Sequence, residues 1–176
     1  MVNALGKIFW GLLLTVLDLR ISGVDILPDF IGCILVATGC VGLSSFSRRF
    51  LIAARLAWGA FIFSVVAYAL SGKAVVVFVF LATVLDLTMM WFLLGGYMDL
   101  VSSKGRMDMH HLAERRRREY LVASSLATVI FLLIPRGGVL TGLMSMVLFI
   151  CLLVVLCLIL QLTHRMKIEL VDEKTG

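Results

Sequence analysis

Asp86 is the residue whose type and surroundings most clearly call for chemistry. Twelve uncharged residues precede it, Ala74 to Leu85, and twelve follow, Leu87 to Met98. In a bilayer, an ionised carboxylate at the centre of such a run costs about 2.5–3.5 kcal/mol on insertion scales. It must therefore be protonated, paired or in contact with water, and each of these states suits the handling of a proton or cation. Asp18 is a second such acid, carried in the phrase TVLDL (Thr15 to Leu19), which returns as Thr83 to Leu87 around Asp86. If Lys7 marks one membrane boundary, Asp18 lies roughly 16 Å inward, near mid-depth. Arg20 follows closely and must either snorkel outward or pair with an acid such as Asp25, Asp29 or Asp86. The plainer reading makes Asp18 and Asp86 buried carboxylates that hold neighbouring helices together, bonded to Arg20 or Arg55.

Composition sets the medium in which these acids must be understood. Of 176 residues, 61% are hydrophobic and 15% charged, against about 45–50% and 25% in a soluble domain. About 20 apolar residues cross a bilayer, and Gly137 to Thr163 alone runs 27 residues without a charge. The expected fold is all-α, a polytopic transmembrane helical bundle of six spans at about 5–21, 28–46, 51–71, 74–99, 120–135 and 139–163. A basic cytoplasmic loop over 101–119 and a cytoplasmic tail over 164–176 complete a single integral domain. Ser22-Gly23-Val24-Asp25, Ser71-Gly72-Lys73 and Pro135-Arg136-Gly137-Gly138 supply the turn residues between spans.

The distribution of Lys and Arg orients the chain. Lys7, Arg48, Arg49, Arg55, Lys104, Arg106, Arg115 to Arg118, Arg165, Lys167 and Lys174 fall on one side. Only Arg20, Lys73 and Arg136 fall on the other. Basic residues in short loops resist translocation, so both termini are expected in the cytoplasm. The run Arg115, Arg116, Arg117 and Arg118 is expected to touch anionic lipid headgroups, which accounts for the net charge of +5 without nucleic acid.

With six spans, the first and fourth run in opposite directions. The two TVLDL phrases then occupy corresponding positions of two three-helix halves, a 3+3 inverted repeat of the kind on which many transporters are built. The alternative is a chance match in a Leu/Val-rich chain, since at the same offset Asp25 to Asp29 falls on Leu93 to Tyr97 with nothing shared. Asp25 and Asp29 flank Pro28 at the head of the second span. They read either as helix-capping and first-turn acids or as an outward-facing acidic mouth that gathers cations.

Phe9-Trp10-Gly11 followed by DILPDFIG (Asp25 to Gly32) resembles a group of small bacterial multi-span membrane proteins of uncharacterised function. The likeness covers about residues 8–43, with Cys33 where those proteins commonly carry an aromatic. It implies the bacterial inner (cell) membrane and brings no catalytic or binding residues with it.

Gly32 and Gly39 share a helical face, and Gly138 to Gly142 forms a small-xxx-small pattern; both allow close helix approach, within the chain or between copies. Gly95-Gly96 is expected to loosen the fourth span. Cys33, Cys40, Cys151 and Cys157 lie in apolar runs without CxxC spacing and read as small hydrophobes. His110 and Glu114 share a face while His111 points about 100° away, too few converging ligands for a closed metal site, so neither metal nor cofactor is expected. No HExxH, GxSxG or Walker loop occurs, which argues against an enzyme. A membrane enzyme would need paired acids such as Asp18, Asp86 and Asp99 around a metal. The leading function is a small transporter or channel-like protein for a cation, proton or small solute, with Asp86, Asp18 and Arg20 as its intramembrane polar site. The alternative is a non-transporting scaffold or regulatory subunit that acts through helix contacts and its basic loop. Its partners would be anionic lipid and either a second copy or another membrane protein.

Overall fold

The computed structural model describes residues 1–16, 27–69, 74–133 and 139–172. These form six helices: α1 (Val2–Val16), α2 (Leu27–Leu43), α3 (Arg48–Ala69), α4 (Ala74–Ser102), α5 (Met107–Leu133) and α6 (Val139–Asp172), with no strand among the described residues. Asp18, Arg20, Asp25 and the three turns named above lie wholly or largely outside them. Asp29 falls in the first turn of α2, its side chain outside the described part.

Each helix packs on its neighbours in sequence, and α6 returns to α1, closing a ring. Successive helices run in opposite directions. Gly42 near the end of α2 meets Ala4 at the start of α1, and Gly32 meets Thr15. Phe9 packs edge-on against His164 at 5.9 Å, and Ser47 bonds Asp99. The N-terminus, the α2–α3 and α4–α5 turns and the basic part of α6 thus share one end of the bundle.

Close approach of α1 and α2 depends on glycine. A Cβ on Gly11 would lie 2.8 Å from the Gly32 carbonyl oxygen and from the Val36 nitrogen. One on Gly39 would lie 2.8 Å from the Ala4 carbonyl oxygen. Gly32 and Gly39 therefore act within the chain. Since lipid is as apolar as leucine, such van der Waals fit, rather than the hydrophobic effect, is what holds helices together in a membrane.

Two differences from the sequence-based outline concern boundaries. Residues 101–119 are not a long loop. Helix α4 continues to Ser102 and ends in a Schellman turn, in which Arg106 N–H donates to the Val101 carbonyl at 3.2 Å and Gly105 N–H to Ser102 at 3.0 Å. Gly105 takes φ +70° there, a conformation suited to glycine. Helix α5 then starts at Met107: Met109, Ala113 and Tyr120 bury one face of it, while Glu114, Arg115, Arg118 and Glu119 pair along its exposed surface. Helix α6 likewise runs on to Asp172, well past the last apolar residue of its span.

Two described stretches are long and apolar enough to cross a membrane, Leu81–Ser102 and Ile150–Ile168. Val2–Thr15 and Ile31–Leu43 are shorter apolar helices. The Gly95-Gly96 pair does not interrupt α4. Its missing side chains make a notch instead, with the Phe50 ring against Gly96 and Arg49 across Gly95.

Candidate functional site

Burial divides the ring into two halves. At the basic end Leu5, Ile8, Cys40, Leu43, Phe50, Ala57, Leu93, Tyr97, Ile159 and Thr163 are all inaccessible to solvent, with helices from around the ring contributing. The Thr163 hydroxyl donates to the Ile159 carbonyl at 2.9 Å and lies 3.3 Å from the Tyr97 oxygen, and the Phe50 and Tyr97 rings meet edge-on. This end is a packed plug. Toward the other end the packing opens. Among the described side chains of 58–66, 81–88, 121–129 and 146–158, only Ser124 is buried.

Asp86 sits at the boundary between the two halves. It recurs with Met90, Leu93, Tyr97 and Leu100 at spacings of four, three, four and three, so all five share one face of α4. The last four are buried within the plug, whereas Asp86, one turn beyond Met90, is exposed. Its carboxylate is thus directed to the bundle interior at the point where that interior becomes accessible. The Tyr120 hydroxyl donates to Asp86 Oδ2 at 2.7 Å, and Ser124 is buried one turn further along α5. Thr128 continues the line one turn further along α5, donating to the Ser124 carbonyl at 2.8 Å. Thr83 lies one turn further on α4. A line of hydroxyls therefore leads from the open half to one carboxylate above a sealed plug, an arrangement able to bind a proton or a small cation.

The bond to Asp86 comes from Tyr120; Arg55 is exposed, and the expected pairing with Arg20 lies outside the described residues. Nor does Asp99 converge on Asp86. Thirteen residues separate them, about 20 Å of helix rise, and they point to opposite sides of α4. A joint metal site of these two acids is thereby excluded. Tyr120 was missed from sequence because nothing local marks it beyond its place at the head of an apolar run.

Asp99 belongs to a second polar cluster on the outer surface of α4. Ser47 caps α3, accepting from Arg49 N–H at 3.1 Å, and donates to Asp99 Oδ2 at 2.5 Å. Arg49 Nη1 lies 3.3 Å from Asp99 Oδ1 and donates to the Gly95 carbonyl at 3.3 Å. The guanidinium of Arg117 stacks 3.7 Å above the Trp91 ring.

Of the four arginines expected at headgroups, Arg115 and Arg116 pair with Glu119 at 2.9 and 2.5 Å, and Arg118 with Glu114 at 2.5 Å. Hydrogen bonding from Arg116 first, and from Arg115, holds the Glu119 carboxyl below the usual glutamate range. Because the folded value is depressed, these pairs stabilise α5 above the ordinary glutamate value and cease to do so as pH falls through the lowered one. Glu119→Gln is therefore expected to be less stable than the parent at pH 7, with a difference that narrows at about pH 4 and closes only below the lowered value. Thermal melts followed by circular dichroism at the two pH values check this. His110, His111 and Glu114 bring ligand-capable atoms within 4.8 Å of one another, closer than a 100° step suggests. Glu114, however, is engaged by Arg118. No disulfide joins Cys33, Cys40, Cys151 and Cys157.

No protein-family model, no curated protein and no solved structure matches this chain.

Proposed function

We propose that the chain is a six-span protein of a bacterial inner membrane that moves protons or a small cation, with Asp86 as the binding group and the Tyr120, Ser124 and Thr128 hydroxyls as its approach. Support for six crossings comes from the surface. Trp10, Ile31, Trp58, Ile62, Val65, Leu81, Val84, Val122, Leu126, Val129, Ile150 and Val154, drawn from all six helices, are each 42–68% exposed. In water so much apolar surface would drive aggregation, whereas lipid solvates it. The antiparallel ring also gathers the basic segments at one end, as cytoplasmic termini require. In the ring α4 packs on α3 and α5 while α1 packs on α2 and α6.

The single observation that carries the functional reading is Asp86 itself, on the inward face of α4 beside the plug, accessible as a residue while its carboxyl is enclosed and bonded to Tyr120. A carboxyl so placed can take up a proton or a small cation. On this reading the packed end is the closed gate of alternating access, and the plug around Tyr97 and Thr163 would have to part. The test is reconstitution into liposomes loaded with a pH-sensitive dye. The expected result is a pH change that follows an imposed gradient and exceeds that of empty vesicles. No flux under proton, sodium or potassium gradients would remove the transport reading.

The alternative, a scaffolding subunit, draws on a shallow apolar groove of about 470 Å³ along α5, lined by Leu121, Val122, Ser125, Leu126 and Val129. Co-purification of a membrane partner without flux would support it.

A further inference from the structure

We propose that Arg49 and Arg117 form a binding site for the phosphate of an anionic phospholipid in the cytoplasmic leaflet, straddling the notch at Gly95. The proposal rests on the membrane reading and is separate from the role of Asp86. Among the described residues, Arg117 is the one arginine of its run without a carboxylate partner. Arg115, Arg116 and Arg118 are held by Glu119 and Glu114. Arg117 instead reaches across α4, stacks on Trp91 and places Nη1 3.9 Å from the Met98 sulfur. Its Nε is buried with no hydrogen-bond partner, and a buried unmet donor on a cation is costly.

From the other side, Arg49 reaches the same point. A Cβ on Gly95 would lie 3.1 Å from Arg49 Nη1 and 3.7 Å from Arg117 Nη1, and the two like charges act on each other. Asp99 pairs with Arg49, and the acid that acts on Arg117, Glu114, is held by Arg118. Two planar guanidinium forks facing one gap, their nearby acids already engaged by arginine, suit a tetrahedral oxyanion that can accept from both.

Depth identifies which oxyanion. Gly95 is nine residues from Asp86, about 13 Å of helix rise. If Asp86 marks the bilayer centre, the edge of the hydrocarbon lies about 15 Å from it, so the two guanidiniums stand at the level of the lipid phosphates. The cluster faces outward on α4, since Trp91, Gly95 and Asp99 lie opposite the buried positions Met90, Leu93 and Tyr97. Trp91 is 41% exposed and supplies the indole that favours this interface. Basic pockets between helices on the cytoplasmic side are where anionic headgroups bind.

The experiment uses the full chain with Trp10→Phe and Trp58→Phe, so that Trp91 is the sole tryptophan. It is reconstituted in mixtures of phosphatidylglycerol and phosphatidylcholine, one or the other brominated. The ratio of Trp91 quenching by the two brominated lipids gives the relative binding constant. We expect a preference for phosphatidylglycerol that falls about fivefold for each arginine removed in Arg49→Gln and Arg117→Gln. Gly95→Leu, which fills the notch without changing charge, should also lose the preference, and Arg117→Lys should keep part of it. Quenching by brominated phosphatidylcholine in every variant shows that the chain remains inserted. Equal quenching by both lipids in the parent, or a preference unchanged in the double arginine variant, overturns the site and spares the membrane reading. Absence of quenching by either lipid overturns both. Relief of quenching by inorganic phosphate, against chloride at matched ionic strength, would assign the site to free phosphate and overturn the lipid proposal.

Discussion

Replacing Asp86 by asparagine is expected to reduce ion flux in liposomes to that of protein-free vesicles while leaving insertion and folding intact. Asparagine is nearly the same shape and its Oδ1 can still accept from the Tyr120 hydroxyl, 2.7 Å from Asp86 Oδ2 in the parent. What disappears is the group able to take up a proton or carry a negative charge, and an intramembrane site built on one carboxylate keeps no other. Tyr120→Phe should fall between parent and Asp86→Asn. It leaves the carboxylate in place but removes a hydrogen bond to a charged group, a contribution of about 1.5–3 kcal/mol. Initial dye-reported rates for the three proteins, at equal reconstituted amounts, decide the matter. Parent-like flux from Asp86→Asn would end the role assigned to that residue.

The largest effect on stability is expected from a single methyl group. Gly11→Ala places a Cβ 2.8 Å from the Gly32 carbonyl oxygen and 2.8 Å from the Val36 nitrogen. Both are backbone atoms, so no rotamer change can make room and α1 must move away from α2. Overpacking of this kind costs about 1–3 kcal/mol and more where side chains cannot yield. A loss of about 3 kcal/mol corresponds to roughly 6–12 °C in melting temperature for a chain of this length. Gly59→Ala is the matched control, because its Cβ would meet nothing closer than Leu85 at 3.8 Å, and alanine is the better helix former. Thermal unfolding in detergent, followed by tryptophan fluorescence, should separate the two variants widely. Equal melting temperatures would mean that α1 and α2 are not seated on each other as described.

Much of this architecture is legible in the linear chain. Apolar runs interrupted by Ser, Gly, Pro and Asp outlined the helices, and the one-sided placement of Lys and Arg implied that both ends lie on one side; Phe9 of α1 packs against His164 of α6. Gly32 and Gly39 marked a close approach, though not which helix approaches. Less legible were features that depend on three-dimensional neighbours. The start of α5 was hard to place because its narrow buried stripe, Met109, Ala113 and Tyr120, is interrupted by the arginine run, although the helix-supporting Glu114–Arg118 and Arg115–Glu119 spacings were visible. Gly95-Gly96 resembled a weak point because glycine lowers helix propensity; tertiary packing by Phe50 and Arg49 turned it into a socket.

The candidate site shows the same division. Asp86 stood out because a charge in a long apolar run is costly whatever surrounds it. Its tie to Tyr120 spans 34 positions, and no local pattern encodes it. Arg117 was grouped with its three neighbours by composition alone. Yet it recurs at helical spacing with Ala113, Tyr120 and Ser124, all buried, a signal that sets it apart from Arg115, Arg116 and Arg118 once the segment is known to be helical.

The central claim is that Asp86 lies deep in a bilayer yet is reached by water from the side opposite the basic end. Replacing Cys33, Cys40, Cys151 and Cys157 by alanine and introducing Asp86→Cys gives one thiol at that depth, and Ile62→Cys in the same background gives a comparison on the lipid-facing side of α3. Treated with a charged, membrane-impermeant thiol reagent in vesicles of known orientation, Asp86→Cys should be modified from the periplasmic side and protected from the cytoplasmic side, while Ile62→Cys stays unmodified from both. Modification of Asp86→Cys from the cytoplasmic side alone, or from neither side, would contradict the account.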